Sequence, residues 1–391
     1  MIATVTLNPS VDQHLTVQRL VKDDAIRAVS VARFAGGKGI NVTRVVHELG
    51  GRGCAFGFVG GFLGQMLTRW LDDARIPHAF RAIREDTRIN TTITDLHDRT
   101  QTHIRAAGPH VTARDLRRLT QQLVTRRPRP SFWVLGGSLP PGAPRDFYER
   151  LIRRLEATGV RCVLDADDEA MVEGLKATPF LIKPNEHEFE RLTGQRADTD
   201  AHIITAARRV VRQGTQVVLV TLGPRGAIAV TADDAFRVTT PTVRVQSKVG
   251  AGDSTVAGVL VALERGATLR EAVRFGIAAG TAAVLTGGTK LCERRQVARL
   301  LPRMAVEPLR SGAARGAGGA GRTRPRRRRL SKSAPSSECG RRATDAGKPR
   351  SSAWTAASPE IPRSGCRESG SPSLDGRAAR GSAPPHSPGP R

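Results

Sequence analysis

The 391-residue chain contains no apolar run of transmembrane length. Its start, Met1-Ile2-Ala3-Thr4-Val5-Thr6-Leu7, lacks the basic region and long apolar core of a secretory signal, so the expected location is the cytoplasm. Five cysteines, Cys54, Cys162, Cys292, Cys339 and Cys366, include no Cys-x-x-Cys spacing. That argues against a zinc ribbon or a disulfide framework and for reduced thiols. His14, His47, His78 and the other histidines have no metal-ligand spacing either. Acidic residues are scarce: 36 Asp and Glu face 62 Lys and Arg, a formal net charge of +26. Such an excess ordinarily suggests nucleic acid or an anionic surface.

Half of that excess lies at one end. Residues 310–391 hold 18 Lys and Arg against five Asp and Glu, including the run Arg326-Arg327-Arg328-Arg329. The segment is rich in Gly, Pro, Ser, Ala and Arg, has almost no aliphatic residues and shows no period. It cannot bury enough apolar surface to offset the entropy of ordering it, and is expected to be a disordered basic tail. A nucleic-acid-binding arm is the alternative.

Before the tail, strand and helix patterns alternate. Phe132-Trp133-Val134-Leu135 reads as a buried strand, then Phe147, Leu151, Ile152 and Leu155 as a helix face, and Val160–Leu164 as a strand. Phe180–Ile182 and Val217–Thr221 continue the series, with a helix over Ile203–Val211 between them. This order predicts an α/β fold, a mostly parallel central sheet with helices on both faces. Ligands of such sheets bind beyond the carboxy ends of the strands. Residues 13–34 and 80–107 alternate polar and apolar instead, and predict a small antiparallel sheet with one wet face.

Two glycine clusters each open a helix. Gly250-Ala251-Gly252-Asp253 precedes the apolar series Val256, Val259, Leu260, Leu263. Small residues before a helix start form an anion site, because unpaired N–H groups and the helix dipole favour negative charge. A carboxylate there is a poor phosphate ligand but suits proton removal from an attacking hydroxyl; a plain helix cap is the competing reading. Gly36-Gly37-Lys38-Gly39 precedes Asn41, Val42, Val45, Val46 and Leu49. It is not a Walker A loop, since no Ser or Thr follows its lysine at the required spacing. Asn41 offers both a donor and an acceptor to a polyhydroxy compound.

Together these runs resemble the paired signatures of the PfkB carbohydrate-kinase family, whose fold is ribokinase-like. Thr6-Leu7-Asn8-Pro9-Ser10-Val11-Asp12, Gly137-Ser138-Leu139-Pro140-Pro141-Gly142, Lys183-Pro184-Asn185-Glu186-His187-Glu188, Thr221-Leu222-Gly223-Pro224-Arg225-Gly226 and Thr289-Lys290-Leu291-Cys292 are similar to further family elements, in order, over residues 1–304. The resemblance implies a kinase domain over 1–304, with 13–34 and 80–107 as a lid over the sugar and a homodimer surface. It implies Asp253 as catalytic base, with Gly250, Ala251 and Gly252 holding the transferring phosphoryl. It implies Lys183, Thr221, Gly223 and Gly226 on the nucleotide, and Asn185 and Glu188 organising Mg²⁺ through water, although this pair also fits a capping box. Asp12, Gly36, Gly37, Lys38, Asn41, Arg88 and Ser138 are implied substrate ligands, Arg88 gripping a phosphate already present. Asp165 is either structural or near the metal.

Three positions depart from the pattern. Lys248 stands where the family has a small hydroxyl residue, Gly136 stands where the central loop often starts with Ser, and Ala25 stands where a 6-phosphofructokinase carries lysine. The implied reaction is ATP- and Mg²⁺-dependent phosphorylation of a ketohexose phosphate to a 1,6-bisphosphate. Fructose 1-phosphate is the first choice; fructose 6-phosphate and tagatose 6-phosphate are the alternatives. A protein that binds nucleic acid through the tail is the reading from another class, and no membrane association is expected.

Overall fold

The computed structural model describes residues 1–166, 168–286 and 291–309. Thr289 and Lys290 of the carboxy-terminal motif, and the tail expected over 310–391, lie outside the described residues.

The chain opens with β1 (Ile2–Thr6), β2 (Ser10–Val17), β3 (Ser30–Gly36), α1 (Lys38–Glu48), β4 (Gly53–Gly60), α2 (Gly61–Asp73) and β5 (His78–Ile83). It continues through β6 (Arg88–Asp95), β7 (Thr100–Arg105), α3 (Ala113–Val124), β8 (Phe132–Gly136), α4 (Phe147–Glu156), β9 (Arg161–Asp165) and α5 (Asp168–Leu175). Next come β10 (Leu181–Ile182), α6 (Glu186–Thr193), α7 (Asp200–Arg212), β11 (Val217–Thr221), β12 (Ala227–Val230) and β13 (Ala235–Thr239). The described part closes with α8 (Ala251–Glu264), α9 (Leu269–Ala283), α10 (Arg294–Leu300) and β14 (Ala305–Pro308).

Ten strands make one sheet in the order β14-β13-β12-β11-β10-β9-β8-β1-β4-β5. From β5 to β11 every neighbouring pair is parallel; β12, β13 and β14 add an antiparallel edge. Strands such as β1 and β8 are buried along their whole length, which is why they read as continuous apolar runs. Alternation sends Ala3, Val5, Trp133 and Leu164 to one face, packed with Leu119, Leu151, Phe189 and Ile203 of α3, α4, α6 and α7. Ile2, Phe132, Val134 and Val163 point to the other, against Val45, Leu260, Val273 and Val297 of α1, α8, α9 and α10. The chain adds β4 and β5 on one side of β1, then returns to add β8 on the other. Strand direction of growth therefore reverses at β1, and the crevice there is the expected binding site.

Four strands, in the order β3-β2-β6-β7, form a separate small sheet. It is not antiparallel throughout, as the alternation suggested: β2 and β6 pair in parallel. Two bounds also shift. Residues 80–83 belong to β5 at the edge of the main sheet, and β2 of the small sheet begins at Ser10, so Asp12 sits inside that sheet. The main sheet runs past residue 304, because β14 pairs with β13 and Leu309 N–H donates to the Ala235 carbonyl (2.8 Å).

Candidate active site

Beyond the carboxy ends of β1, β8, β9 and β10, and under the small sheet, lies a cleft of about 1260 Å³. At one side α8 begins. Gly250 caps it in the left-handed region (φ 77°), where an added Cβ would lie 2.3 Å from Leu291 Cδ2, so glycine is required. The first intrahelical bond runs from Ser254 N–H to the Gly250 carbonyl (2.9 Å), which leaves the preceding N–H groups without a helical partner. Gly250, the cap residue, offers no side-chain acceptor to this end.

Asp253 follows in the first turn and is buried. Asn41 Nδ2 donates to its Oδ2 at 2.8 Å, tying α8 to α1. Burial pushes the Asp253 carboxyl up to about 6, and the charge of Asp165 adds to this; Asn41, Lys38 and Lys183 pull the other way. Asp165 ends β9 on the cleft floor, with Lys38 Nζ at 3.1 Å and Lys183 Nζ at 3.3 Å.

The glycines before α1 are explained mainly by packing. A Cβ on Gly37 or Gly39 would come within 2.6 Å of Thr6, whose Oγ1 accepts from Ile40 N–H (3.1 Å). A Cβ on Gly36 would strike the Asp12 carboxylate at 2.3 Å. These close approaches seat the α1 start against β1 and leave Lys38 and Asn41 facing the cleft.

The small sheet supplies Asp12, Asn90 and Arg88 by strand register: Ser10 faces Arg88 and Asp12 faces Asn90 across β2 and β6. Asp12 Oδ1 accepts from Ser10 Oγ (2.7 Å) and Asn90 Nδ2 (3.3 Å). Arg88 donates to the carbonyls of Ala106 (2.7 Å) and Asn8 (3.0 Å) and reaches Ser138 Oγ at 3.4 Å. The central loop that carries Ser138 is held by the chain's one tyrosine, whose hydroxyl lies 3.1 Å from the Gly136 and Gly137 carbonyls.

On the opposite side, Asn185 and Glu188 form a full capping box at the start of α6. Asn185 Oδ1 accepts from Glu188 N–H (2.9 Å), and Glu188 Oε2 accepts from Asn185 N–H (2.8 Å). Both residues also line the cleft, with Lys183 and Thr221. Among the described residues no group of three His, Cys, Asp or Glu could hold a metal.

The structure thus brings Asp12, Gly37, Lys38, Asn41, Arg88, Ser138, Lys183, Asn185, Glu188, Thr221, Gly250, Gly252 and Asp253 to one cleft. Gly36 lies beneath Asp12, and Ala251 is the first residue of α8. Gly223 and Gly226 are outside the lining. They shape the turn after β11, where a Cβ on Gly226 would meet the Val238 carbonyl at 1.8 Å. Sequence reasoning missed Asn8, Asn90 and Tyr148. Period-two alternation from Arg88 points to Asn90, but only the β2–β6 pairing sets it beside Asp12.

A helix start with unpaired N–H groups, a buried carboxylate beside it and a polar small sheet over the crevice suit transfer of a phosphoryl group to a small molecule. Residues 5–295 match the model of the pfkB family carbohydrate kinases. A 1-phosphofructokinase of Borreliella burgdorferi is 34% identical over 310 residues, covering 79% of this chain and 99% of that protein. The 1-phosphofructokinase of Bacillus subtilis is 33% identical over 309 residues, covering 79% of this chain and all of that protein. A crystal structure of phosphofructokinase-2 from Escherichia coli in complex with potassium superposes with a TM-score of 0.74 at 32% identity, covering 77% of this chain and 98% of that one. The same enzyme has structures with fructose-6-phosphate and in a tetrameric inhibited form. The chain belongs to the pfkB family of carbohydrate kinases. It is a sugar-phosphate kinase.

Proposed function

We propose that this kinase transfers the γ-phosphoryl group of ATP to fructose 1-phosphate, giving fructose 1,6-bisphosphate and ADP. The observation that carries the reading is the Asp253–Asn41 contact, which sets a buried carboxylate at the junction of the anion-binding helix start and the lid-covered pocket. The substrate's O6 hydroxyl attacks the γ-phosphorus as Asp253 takes its proton, and the bond from that phosphorus to the β–γ bridging oxygen breaks. The N–H groups at Gly250–Gly252 face the charge spread over the transferring phosphoryl. Lys183, beside Gly252, and Thr221 hold the nucleotide phosphates. Asp12 and Asn41 bind sugar hydroxyls. Arg88, with Lys38 and Ser138, grips the phosphate already on the substrate, for which a planar guanidinium suits better than an ammonium.

The residues at α6 fit Mg²⁺ held mostly through water. The capping box occupies only one oxygen of Glu188, and a hard cation carried by nucleotide phosphates needs few protein ligands. When bound, the ion neutralises charge on those phosphates.

The substrate choice is supported by the two 1-phosphofructokinases, each matched over nearly its full length, and by Ala25. A coupled ADP-release assay with fructose 1-phosphate, fructose 6-phosphate and tagatose 6-phosphate tests it. Fructose 1-phosphate should give the highest kcat/KM; a higher value for either 6-phosphate would reassign the enzyme. Tail-dependent nucleic-acid binding is not favoured, since the family match and the cleft lie wholly before residue 310.

A homodimer through the lid is part of the proposal. Strand pairing puts Leu15, Val31, Ile89, Ile93 and Ile104 on the face opposite Asp12. Val31 and Ile104 are 54% and 55% exposed, an apolar surface suited to a second copy. Val31→Glu should convert a dimer to monomer by sedimentation; an unchanged mass would remove this surface from consideration.

A further inference from the structure

Asp165 has no part in the reaction as written, yet it is the most buried carboxylate of the cleft, 2% exposed. Its two oxygens have different partners: Lys38 Nζ on Oδ1 and Lys183 Nζ on Oδ2. The lysines come from opposite sides of the site. Lys38 opens α1, the helix that also carries Asn41. Lys183 follows β10, and its ammonium would lie 3.0 Å from a Cβ on Gly252, against the anion-binding start of α8. A lysine stem has four rotatable carbons and does not fix its own charge. A carboxylate engaged at both oxygens does, because it holds one ammonium group on each oxygen. Burial opposes charge on Asp165, but Lys183 and then Lys38 outweigh it and hold its carboxyl below the usual carboxylate range. The backbone adds rigidity: the Asp165 carbonyl accepts from Gly137 N–H (3.1 Å), next to Ser138.

We infer that Asp165 is a positioning residue that clamps the acceptor-side Lys38 and the nucleotide-side Lys183 beside Asp253, one ammonium on each carboxylate oxygen. The inference rests on the kinase reading above. It implies that one buried side chain sets affinity for both substrates while touching neither.

Asp165→Asn keeps the shape but offers one oxygen and turns an NH₂ group towards the second ammonium. ATP binding by calorimetry and sugar-phosphate KM should worsen, at least one of them about ten-fold or more. The decisive readout is coupling. Lys183→Met should weaken ATP binding much less in the Asp165→Asn background than in the wild type, and Lys38→Met should do the same for sugar-phosphate KM. A residue that only supports the fold would move the melting temperature and leave both cycles additive. If Asp165→Asn does not fold, the double variant Asp165→Asn, Lys183→Met removes the excess cation and leaves the amide oxygen to Lys38. It should keep a near-wild-type KM for the sugar phosphate and the ATP affinity of Lys183→Met alone. Additive cycles, or losses of both affinities in the double variant, overturn the clamp. So does a folded Asp165→Asn enzyme with both affinities within about two-fold of wild type. An unsubstituted enzyme inactive on all three phosphosugars would instead sink the substrate assignment, leaving the ATP-binding cycle to decide the clamp.

Discussion

Asp253 carries the strongest expectations at the scale of single residues. Asp253→Asn preserves the contact with Asn41 through an amide and removes the proton acceptor. Turnover should fall by roughly 10²–10⁴ while ATP binding persists. A variant that keeps more than about a tenth of wild-type turnover at saturation would show that another group is the base. The raised pKa gives a second expectation. The base must be ionised, so kcat/KM should rise with pH through about 6 and level off above it. Stability responds in the opposite sense. The folded protein holds this proton more tightly than the unfolded chain, so the contribution of Asp253 to stability falls as pH rises through about 6. An acid limb that survives unchanged in Asp253→Asn would assign the titration elsewhere. Arg88→Ala should raise KM for the phosphosugar by about ten- to hundred-fold, the worth of a charge-assisted contact, and ATP KM far less. Equal changes in both would mean general damage, since Arg88 also pins the backbone at Asn8 and Ala106.

At the scale of elements, the site depends on how closely two helices approach. α8 is buried from Asp253 to Ala262, so it has no exposed stripe and its packing is set on every side. It crosses α9 at glycines: a Cβ on Gly258 would lie 2.8 Å from Gly276 Cα, and one on Gly276 would lie 2.5 Å from Val259 Cγ2. Gly276→Ala should lower stability by about 1–3 kcal/mol through overpacking, read by denaturant melting. An unchanged midpoint would mean that the two helices can separate at no cost. The α6 start distinguishes two roles of one side chain. Gln can replace Glu188 as acceptor in the capping box, so Glu188→Gln should leave the melting temperature nearly unchanged. It removes the negative charge facing the cleft, and the Mg²⁺ concentration for half-maximal activity should rise. Both quantities moving together, or neither, would contradict the metal role.

For the whole molecule, the main sheet ends with β14, and every cleft residue named here precedes it. Truncation after Leu309 should leave activity and melting temperature nearly intact, and any salt-sensitive nucleic-acid binding should go with the removed basic segment. Truncation after Arg303 removes the strand that covers β13 and should lower the melting temperature. A folded but inactive protein ending at Leu309 would show that the basic segment takes part in the site.

Periodicity and punctuation by themselves determined the α/β class, since a strand buried on both faces and a helix buried on one leave different apolar spacings. They also singled out two loops that line the cleft, because Gly250–Asp253 and Gly36–Asn41 combine small residues with polar groups just before a helix. Register and distance were decided only by the tertiary structure. The parallel pairing of β2 with β6 places Asn90 beside Asp12, although the two are 78 positions apart. Packing against Thr6 explains Gly37 and Gly39 without a ligand. The bridging of Lys38 and Lys183 by Asp165 joins three elements that no local pattern connects, because a buried charge is stabilised by whichever partners the fold carries to it.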